Sequence, residues 1–106
     1  MPILQINFKL QVSPTEYQKI CQSVAGAIAD VPGLLWKVWL LNEKEREGGG
    51  IYLFQDEQSL TAYLSSPVIA QIKSLPQLRE ISAKIFETIP DITAVTRGPI
   101  PTLATA

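Results

Sequence analysis

Residues 34–41, with the sequence LLWKVWLL, predict a strand whose two faces are both bulky and apolar. Side chains alternate between the two faces of an extended chain. One face therefore carries Trp36, and the other carries Lys37 and Trp39. Residues 51–54 repeat this pattern. Because bulky apolar groups on both faces need cover on both sides, the fold must enclose this part of its sheet from two directions.

The segment before this strand supplies one strand and one helix. Residues 4–12 alternate strictly between apolar and polar side chains, which predicts a strand with one buried face. Ser13, Pro14 and Glu16 then provide an N-cap, a first-position proline and a capping-box glutamate. These groups satisfy the free backbone amides at the start of a helix. Apolar residues at three- and four-residue spacing continue that helix toward Pro32.

The segment after the third strand supplies two short helices and a last strand. Asp56 is an N-cap candidate, residues 65–67 (SSP) restart a helix, and residues 79–88 predict the strand. The resulting order is strand, helix, strand, strand, helix, strand. This order is that of the ferredoxin-like α+β fold, a four-stranded antiparallel sheet with helices on one face.

The length of the chain suits one domain and one core. We expect residues 1–106 to form a single domain, with a core at about residues 3–92 and an extended C-terminal tail at 93–106. Two helical regions cover only one face of the sheet, so the other face would expose an unusually large apolar patch for a monomer. A second copy is the simplest cover, because a twofold axis uses the same surface twice. The sequence therefore predicts a homodimer, a dimeric α+β barrel in which two sheets pack face to face.

The composition excludes several classes of active site. The chain has no histidine and a single cysteine, Cys21, so one chain cannot build a histidine-containing triad, a histidine zinc site or a disulfide. We therefore predict no metal and no cofactor, and interpret Cys21, on the apolar stripe of the first helix, as a packed thiol. A net charge of −1 without a basic run argues against nucleic acid and anionic membranes. No apolar run approaches the roughly 18 residues of a membrane helix, so we expect no membrane segment and a cytoplasmic location.

The alternation of the strands also predicts a pocket between the two sheets. If the aliphatic residues, such as Leu53, meet the helices, the polar and aromatic residues between them face the partner. These are Asn7, Lys9, Tyr52, Phe54, Lys84 and Phe86. In the second strand either Trp36, or Trp39 with Lys37, faces the pocket, since a one-residue shift reverses the answer. Aromatic walls with a few polar groups are typical of small-molecule sites, although the same aromatics would equally serve as a dimer core.

A charged segment with three glycines joins the second and third strands. Residues 43–50, with the sequence EKEREGGG, predict a flexible hairpin loop. A phosphate-binding loop is disfavoured, because Gly50 leads into a strand and not into the N-terminus of a helix.

Several short motifs resemble one known family. They are PGLLWKVW at 32–39, GGIYLF at 49–54, DE at 56–57, AYL at 62–64 and AKIF at 83–86. Over roughly residues 3–92, the chain resembles the YdhR family of putative mono-oxygenases. The resemblance implies a dimeric α+β barrel whose dimer encloses a pocket. Relatives in that superfamily include cofactor-independent oxygenases of quinols and aromatic polyketides, haem-degrading enzymes and chlorite- or dye-processing haem proteins, so the fold alone does not fix the chemistry.

The resemblance and the aromatic residues favour a cofactor-independent mono-oxygenase of a small hydrophobic aromatic or quinol-like substrate. A deprotonated quinol transfers an electron to dioxygen itself, so the protein need only bind, deprotonate and shield it. The candidate catalytic residues are Lys37, Tyr52 and Lys84, with a desolvated lysine as the base. The candidate pocket residues, which would stack on the substrate or hydrogen-bond its oxygen, are Asn7, Trp36, Trp39, Tyr52, Phe54 and Phe86.

Three alternatives remain open at this level. The two lysines would equally pack their stems and extend their ammonium groups into solvent. The domain would equally serve as a non-catalytic dimeric module that binds an apolar ligand or a partner segment. Haem or flavin binding is the third alternative, although the missing histidine removes the usual proximal ligand of a haem iron.

Overall fold

The structure is a computed structural model and describes residues 1–101. These residues form four strands and four helices. They are β1 (Pro2–Leu10), α1 (Pro14–Ala29), β2 (Leu34–Asn42), β3 (Glu47–Phe54), α2 (Glu57–Leu64), α3 (Pro67–Ser74), β4 (Leu78–Glu87) and α4 (Pro90–Val95). None of the helices in this part of the chain is both long and apolar enough to cross a membrane.

Side-chain caps fix the starts of three helices. The side-chain oxygens of Ser13, Asp56 and Ser66 each accept a hydrogen bond from the backbone N–H three residues further on, at 2.7–3.4 Å. Each bond satisfies an amide that has no partner within its own helix. The predicted caps at Ser13 and Asp56 are confirmed, and Ser66 caps the helix predicted to restart at residues 65–67.

The strands form one antiparallel sheet in the order β2-β3-β1-β4. The central pair, β1 and β3, is joined to the edge strands β4 and β2. Helices α1, α2 and α3 pack on one face of this sheet. The predicted ferredoxin-like α+β fold is therefore confirmed.

The core lies between the sheet and helices α1–α3. Alternate residues of β1 are buried there, including Leu4 and Ile6, which are 0% and 5% exposed. Tyr63 of α2, Ile28 of α1 and Ile69 of α3 close the other side of the core. The strict alternation of β1 thus identifies its buried face correctly, because only one of its faces is apolar.

The pairing register corrects the predicted orientation of β3. Leu4 pairs with Tyr52, and paired residues share a face, so Tyr52 and its alternate neighbour Phe54 face the helices. Leu53 pairs with Ile3 and faces away. The prediction that Tyr52 and Phe54 point away from the helices is wrong. Residues of β3 are apolar on both faces, so hydropathy alone carried no information about which face is buried.

The same register resolves the alternatives left open for β2. Lys37 pairs with Tyr52, and Trp39 pairs with Gly50, so both face the helices. Trp36 pairs with Leu53 on the opposite face.

The three glycines belong to β3 and not to a loop, which corrects a second prediction. Only residues 43–46 lie between β2 and β3. A Cβ at Gly48 would lie 2.7 Å from the Tyr17 ring, and a Cβ at Gly50 would lie 2.5 Å from Cε of Lys37. A Cβ at Gly49, where φ is +154°, would collide with the backbone oxygen of Ile6. Close packing therefore explains Gly48 and Gly49, whereas an added Cβ at Gly50 would displace the end of the Lys37 side chain.

The C-terminal segment approaches the face of the sheet that α1–α3 leave open. Nε1 of Trp36 donates a hydrogen bond to the carbonyl oxygen of Pro99 at 2.8 Å. Leu53, the neighbour of Trp36 in the sheet, is 0% exposed, whereas Val38 and Phe86 on the same face remain about half exposed, at 51% and 49%.

The tail differs in part from the predicted extended segment. Residues 90–95 form helix α4, which Pro90 and Asp91 favour at its first turn. Residues 96–101 continue without a further helix or strand. Residues 102–106 of the predicted tail lie outside the described residues.

Candidate functional site

A cavity of about 240 Å³ lies between the sheet and the helices of a single chain. Its walls are mostly aliphatic and aromatic, with all four strands on one side and α1, α2 and α3 on the other. The polar or titratable side chains that line it are few. They are Tyr17, Cys21, Lys37, Tyr52 and Lys73. We treat this cavity as the candidate functional site, because apolar concavities with a few converging polar groups are typical of small-molecule sites.

Lys37 is the charged group held most closely by the cavity walls. Its Nζ lies 3.3 Å from the centroid of the Trp39 ring and 4.5 Å from the centroid of the Tyr52 ring. None of the ion pairs found within residues 1–101 includes Lys37. Burial lowers the pKa of Lys37 to about 8, although the nearby Cys21 sulfur partly counteracts this shift. The amine is therefore available in both protonation states near neutral pH.

Tyr17 connects helix α1 to the glycine-rich part of β3. Its hydroxyl accepts a hydrogen bond from Gly49 N–H at 3.1 Å and donates one to the carbonyl oxygen of Leu40 at 3.3 Å. Burial raises the pKa of Tyr17, and Cys21 raises it further. Burial likewise raises the pKa of the Cys21 thiol. Both groups are neutral near pH 7, so they offer hydrogen-bonding groups without charge.

Tyr52 forms the floor of the cavity beside Lys37. Its hydroxyl accepts a hydrogen bond from the Tyr63 hydroxyl at 3.1 Å, and the two ring centroids lie 5.1 Å apart. Burial raises the pKa of both tyrosines, and the proximity of Tyr63 adds to the shift at Tyr52. The pair holds the Tyr52 ring in a fixed position against the amine.

The structure brings together three of the residues selected from the sequence. Lys37, Trp39 and Tyr52 all line the cavity. Phe54 faces the same side of the sheet, but it is fully buried and does not line the cavity. Its ring centroid lies 5.7 Å from that of Tyr63 among the core aromatics.

The other selected residues lie on the opposite face of the sheet. Asn7, Lys84 and Phe86 belong to the alternate set of β1 and β4 that points away from the helices, and Trp36 lies on that face of β2. The prediction that Asn7, Lys84 and Phe86 share a face with Tyr52 is wrong. It failed because it rested on the orientation of β3, which the register reverses.

Sequence reasoning did not select Tyr17 as a site residue and interpreted Cys21 only as a packed thiol. The two residues are four positions apart on the apolar stripe of α1, so they lie on the same side of the helix. Cys21 does pack against the core, and it also lines the cavity. The three glycines of β3 were the sequence signal for these residues. A glycine leaves room for a side chain from a neighbouring element to lie against the strand, as Tyr17 does at Gly48.

A second depression adjoins the cavity between α1 and the edge strand β2. Tyr17, Cys21 and Trp39 line both spaces. The Trp39 side chain is partly exposed and forms part of the wall of each space.

Comparison with known families identifies the chain. The profile of a family described as putative mono-oxygenase ydhR matches residues 3–99, nearly the whole chain. The chain belongs to the YdhR family. No match is found among curated protein sequences.

Solved structures share the fold of this YdhR-family chain. SnoaB, a cofactor-independent oxygenase from Streptomyces nogalater, is 19% identical with a TM-score of 0.68, over 83% of this chain and 93% of SnoaB. The haem-degrader MhuD from Mycobacterium tuberculosis, solved with two haems bound in its active site, is 20% identical with a TM-score of 0.64, over 82% of this chain and 95% of MhuD. NE2512 from Nitrosomonas europaea, of unknown function, is 14% identical with a TM-score of 0.71, over 83% and 88% of the two chains. At these identities the comparisons establish the fold.

The cavity of this YdhR-family chain does not fit a haem iron. Its sequence contains no histidine, and the sulfur and phenol donors in the cavity, Cys21 and Tyr17, both have raised pKa values. Both groups are neutral near pH 7, so the chain offers neither the usual histidine ligand of a haem iron nor a preformed anionic one in this cavity. Within residues 1–101, no group of three acidic, histidine or cysteine side chains is arranged to hold a metal ion.

Proposed function

We propose that this protein is a cofactor-independent mono-oxygenase of a small hydrophobic phenol or quinol-like aromatic. The observation that carries this proposal is the Lys37 amine, placed in an apolar cavity between the faces of two aromatic rings. The family membership supports oxygenase chemistry, and SnoaB is an example of the fold that works without a cofactor.

The size of the cavity favours a small aromatic. An apolar protein cavity of about 150 Å³ is large enough to hold benzene. The present cavity of about 240 Å³ therefore has room for one substituted ring or a compact fused pair. The Trp39 and Tyr52 rings would contact its faces or edges.

Lys37 is the proposed base. With a pKa of about 8, roughly one chain in ten carries the neutral amine at pH 7. That amine takes the hydroxyl proton of the substrate, and the ammonium that forms then pairs with the phenolate. Because the cavity is apolar, this ion pair is stronger than it would be in water.

The remaining steps need only dioxygen. The phenolate passes one electron to dioxygen, and the resulting radical and superoxide combine to form a C–O bond at a ring carbon that bears hydrogen. The peroxide takes the proton back from Lys37, and loss of water leaves a carbonyl group at that carbon. One oxygen atom enters the quinone and the other leaves as water, so the overall change is phenol plus dioxygen to quinone plus water, and no external reductant is needed.

The test is dioxygen consumption against a panel of hydroquinones and naphthols, with the quinone product followed by absorbance. We expect turnover by the wild-type protein and a loss of about 10²-fold or more in Lys37→Met, which is the usual contribution of a general base. Lys37→Arg retains a cation but has no accessible neutral form, so it also loses turnover. Lys19→Met, which removes an exposed lysine of α1, is the matched control.

Two results would contradict the proposal. One is the absence of turnover across the whole panel. In that case, tight binding of the same compounds without product would favour a non-catalytic binding module. The other is unchanged turnover in a folded Lys37→Met variant.

We also propose that the open face of the sheet pairs with a second copy of the chain. Val38 and Phe86 lie half exposed on this face. A monomer would leave these apolar side chains in contact with water, which is unfavourable. In such a homodimer Asn7 and Lys84 lie at or beside the subunit interface, and the cavity of each chain stays on the far side of its sheet.

A further inference from the structure

The surroundings of Lys37 are unusual for a lysine. Buried ammonium groups are normally paired with a carboxylate. The titratable side chains that line this cavity with Lys37 are two tyrosines, one cysteine and a second lysine, and none of them is a carboxylic acid. Aromatic faces replace the missing anion, with Trp39 at 3.3 Å and Tyr52 at 4.5 Å from Nζ.

The backbone holds the amine in place. Lys37 lies on β2 opposite Tyr52, and the absence of a side chain at Gly50 leaves the space that its Cε occupies. The amine is thus fixed at one wall of a cavity that has room for an aromatic ring. A lysine amine kept out of water in an apolar pocket is one of the ways in which proteins activate a nitrogen nucleophile.

We propose that Lys37 captures small aromatic aldehydes and ketones in this cavity by forming a reversible imine with them. The nitrogen lone pair attacks the carbonyl carbon, a C–N bond forms, and a proton moves to the oxygen. Loss of that oxygen as water then produces the C=N bond. Carbonyl compound plus amine becomes imine plus water, with no oxidant or reductant involved.

The neighbouring groups suit this reaction. The lowered pKa of Lys37, about 8, supplies neutral amine at neutral pH. Tyr17 and Cys21 line the same space as neutral hydroxyl and thiol groups, so neither adds a negative charge that would hold the amine in its protonated form. Trp39 and Tyr52 offer ring faces to an aromatic carbonyl compound and offer less to a short aliphatic one.

Benzaldehyde is the probe, and borohydride reduction makes the imine permanent as a benzyl group on nitrogen. We expect wild-type protein to take up one benzyl group per chain, and peptide mapping to place it on Lys37 with at least tenfold preference over any exposed lysine. Lys37→Met and Lys37→Arg lose this label, whereas Lys19→Met keeps it. Naphthalene, which fills the cavity without reacting, reduces labelling at Lys37 alone.

Mapping of the wild-type protein keeps the test decisive even if a Lys37 variant fails to fold. Label distributed evenly over the lysines, or no label at Lys37, overturns the proposal. The experiment runs without dioxygen and without a phenol, so its outcome is separate from the oxygenase assay. Labelling of Lys37 without dioxygen consumption would refute the oxygenase proposal and support the imine proposal. Dioxygen consumption without labelling of Lys37 would do the opposite.

Discussion

The side chain of Lys37 is subject to two opposing influences. The faces of Trp39 and Tyr52 favour its ammonium form, because their π electrons attract a cation. Removal from water disfavours the same form. Burial prevails, since the pKa falls from 10.5 to about 8. The folded protein therefore carries a destabilising charge below about pH 8.

This charge predicts a pH-dependent gain in stability for Lys37→Met. Below pH 8 both folded and unfolded wild-type chains are protonated, so the folded chain bears the full cost of the buried ammonium. Between pH 8 and 10.5 the unfolded chain binds more protons, so wild-type stability rises with pH. We expect Lys37→Met to be more stable by about 1–3 kcal/mol at pH 7.

Urea unfolding of both proteins measures this difference. It should shrink steadily between pH 7 and about 9.5, a range below the ordinary titration of tyrosine. A difference that stays constant over this range would mean that Lys37 is not desolvated in the folded protein. Lys19→Met, which removes an exposed lysine and keeps Lys37, is the matched control.

At the level of single elements, β3 is shaped by what it packs against. Its three consecutive glycines would weaken an ordinary strand, because glycine loses the most backbone freedom on folding. Here Gly48 and Gly50 make room for Tyr17 and Lys37, and Gly49 lies against the backbone of β1. The strand thus gives up intrinsic stability to allow the cavity's polar groups to lie close to it.

Two alanine substitutions test this interpretation of the glycines. Gly49→Ala should destabilise the protein by about 3 kcal/mol or more, because its Cβ meets a backbone oxygen that cannot rotate away. Gly26→Ala, in α1 where the added Cβ meets no other part of the protein within 4 Å, should stabilise it by about 0.5–1 kcal/mol. Thermal unfolding measures both effects, and similar shifts in the two variants would contradict the packing argument.

The elements show where sequence reasoning is sufficient. The caps at Ser13, Asp56 and Ser66 were predictable because capping depends on groups three residues apart. The buried face of β1 was predictable because its two faces differ in polarity. The orientation of β3 was not, because it depends on pairing with a distant strand. The pocket that the sequence predicts between two sheets stays a prediction, whereas the cavity that the structure shows lies on the helix side of the sheet and is lined by Lys37, Trp39 and Tyr52.

The whole molecule has two differently covered sheet faces. Three helices pack on one face, while the C-terminal segment approaches the other, where Trp36 donates a hydrogen bond to Pro99. Apolar side chains remain half exposed beyond that contact. This asymmetry is the basis of the proposed homodimer.

A charge introduced into the open face should separate the two copies. We expect wild-type protein to have about twice the chain mass of 11.7 kDa by light scattering. Phe86→Arg should reduce this to a single chain, because the cost of burying an unpaired guanidinium exceeds what a packed interface supplies. Thr61→Arg, on an exposed position of α2, is the matched control. A wild-type monomer at micromolar concentration would contradict the proposal.

The two tryptophans of the chain lie three residues apart on opposite faces of one strand. Trp39 lies at the wall of the cavity, whereas Trp36 contacts the C-terminal segment. Each indole therefore reports optically on a different event. In Trp36→Phe, quenching of the Trp39 fluorescence reports the entry of a ligand into the cavity. In Trp39→Phe, the emission wavelength of Trp36 reports whether the open face is covered.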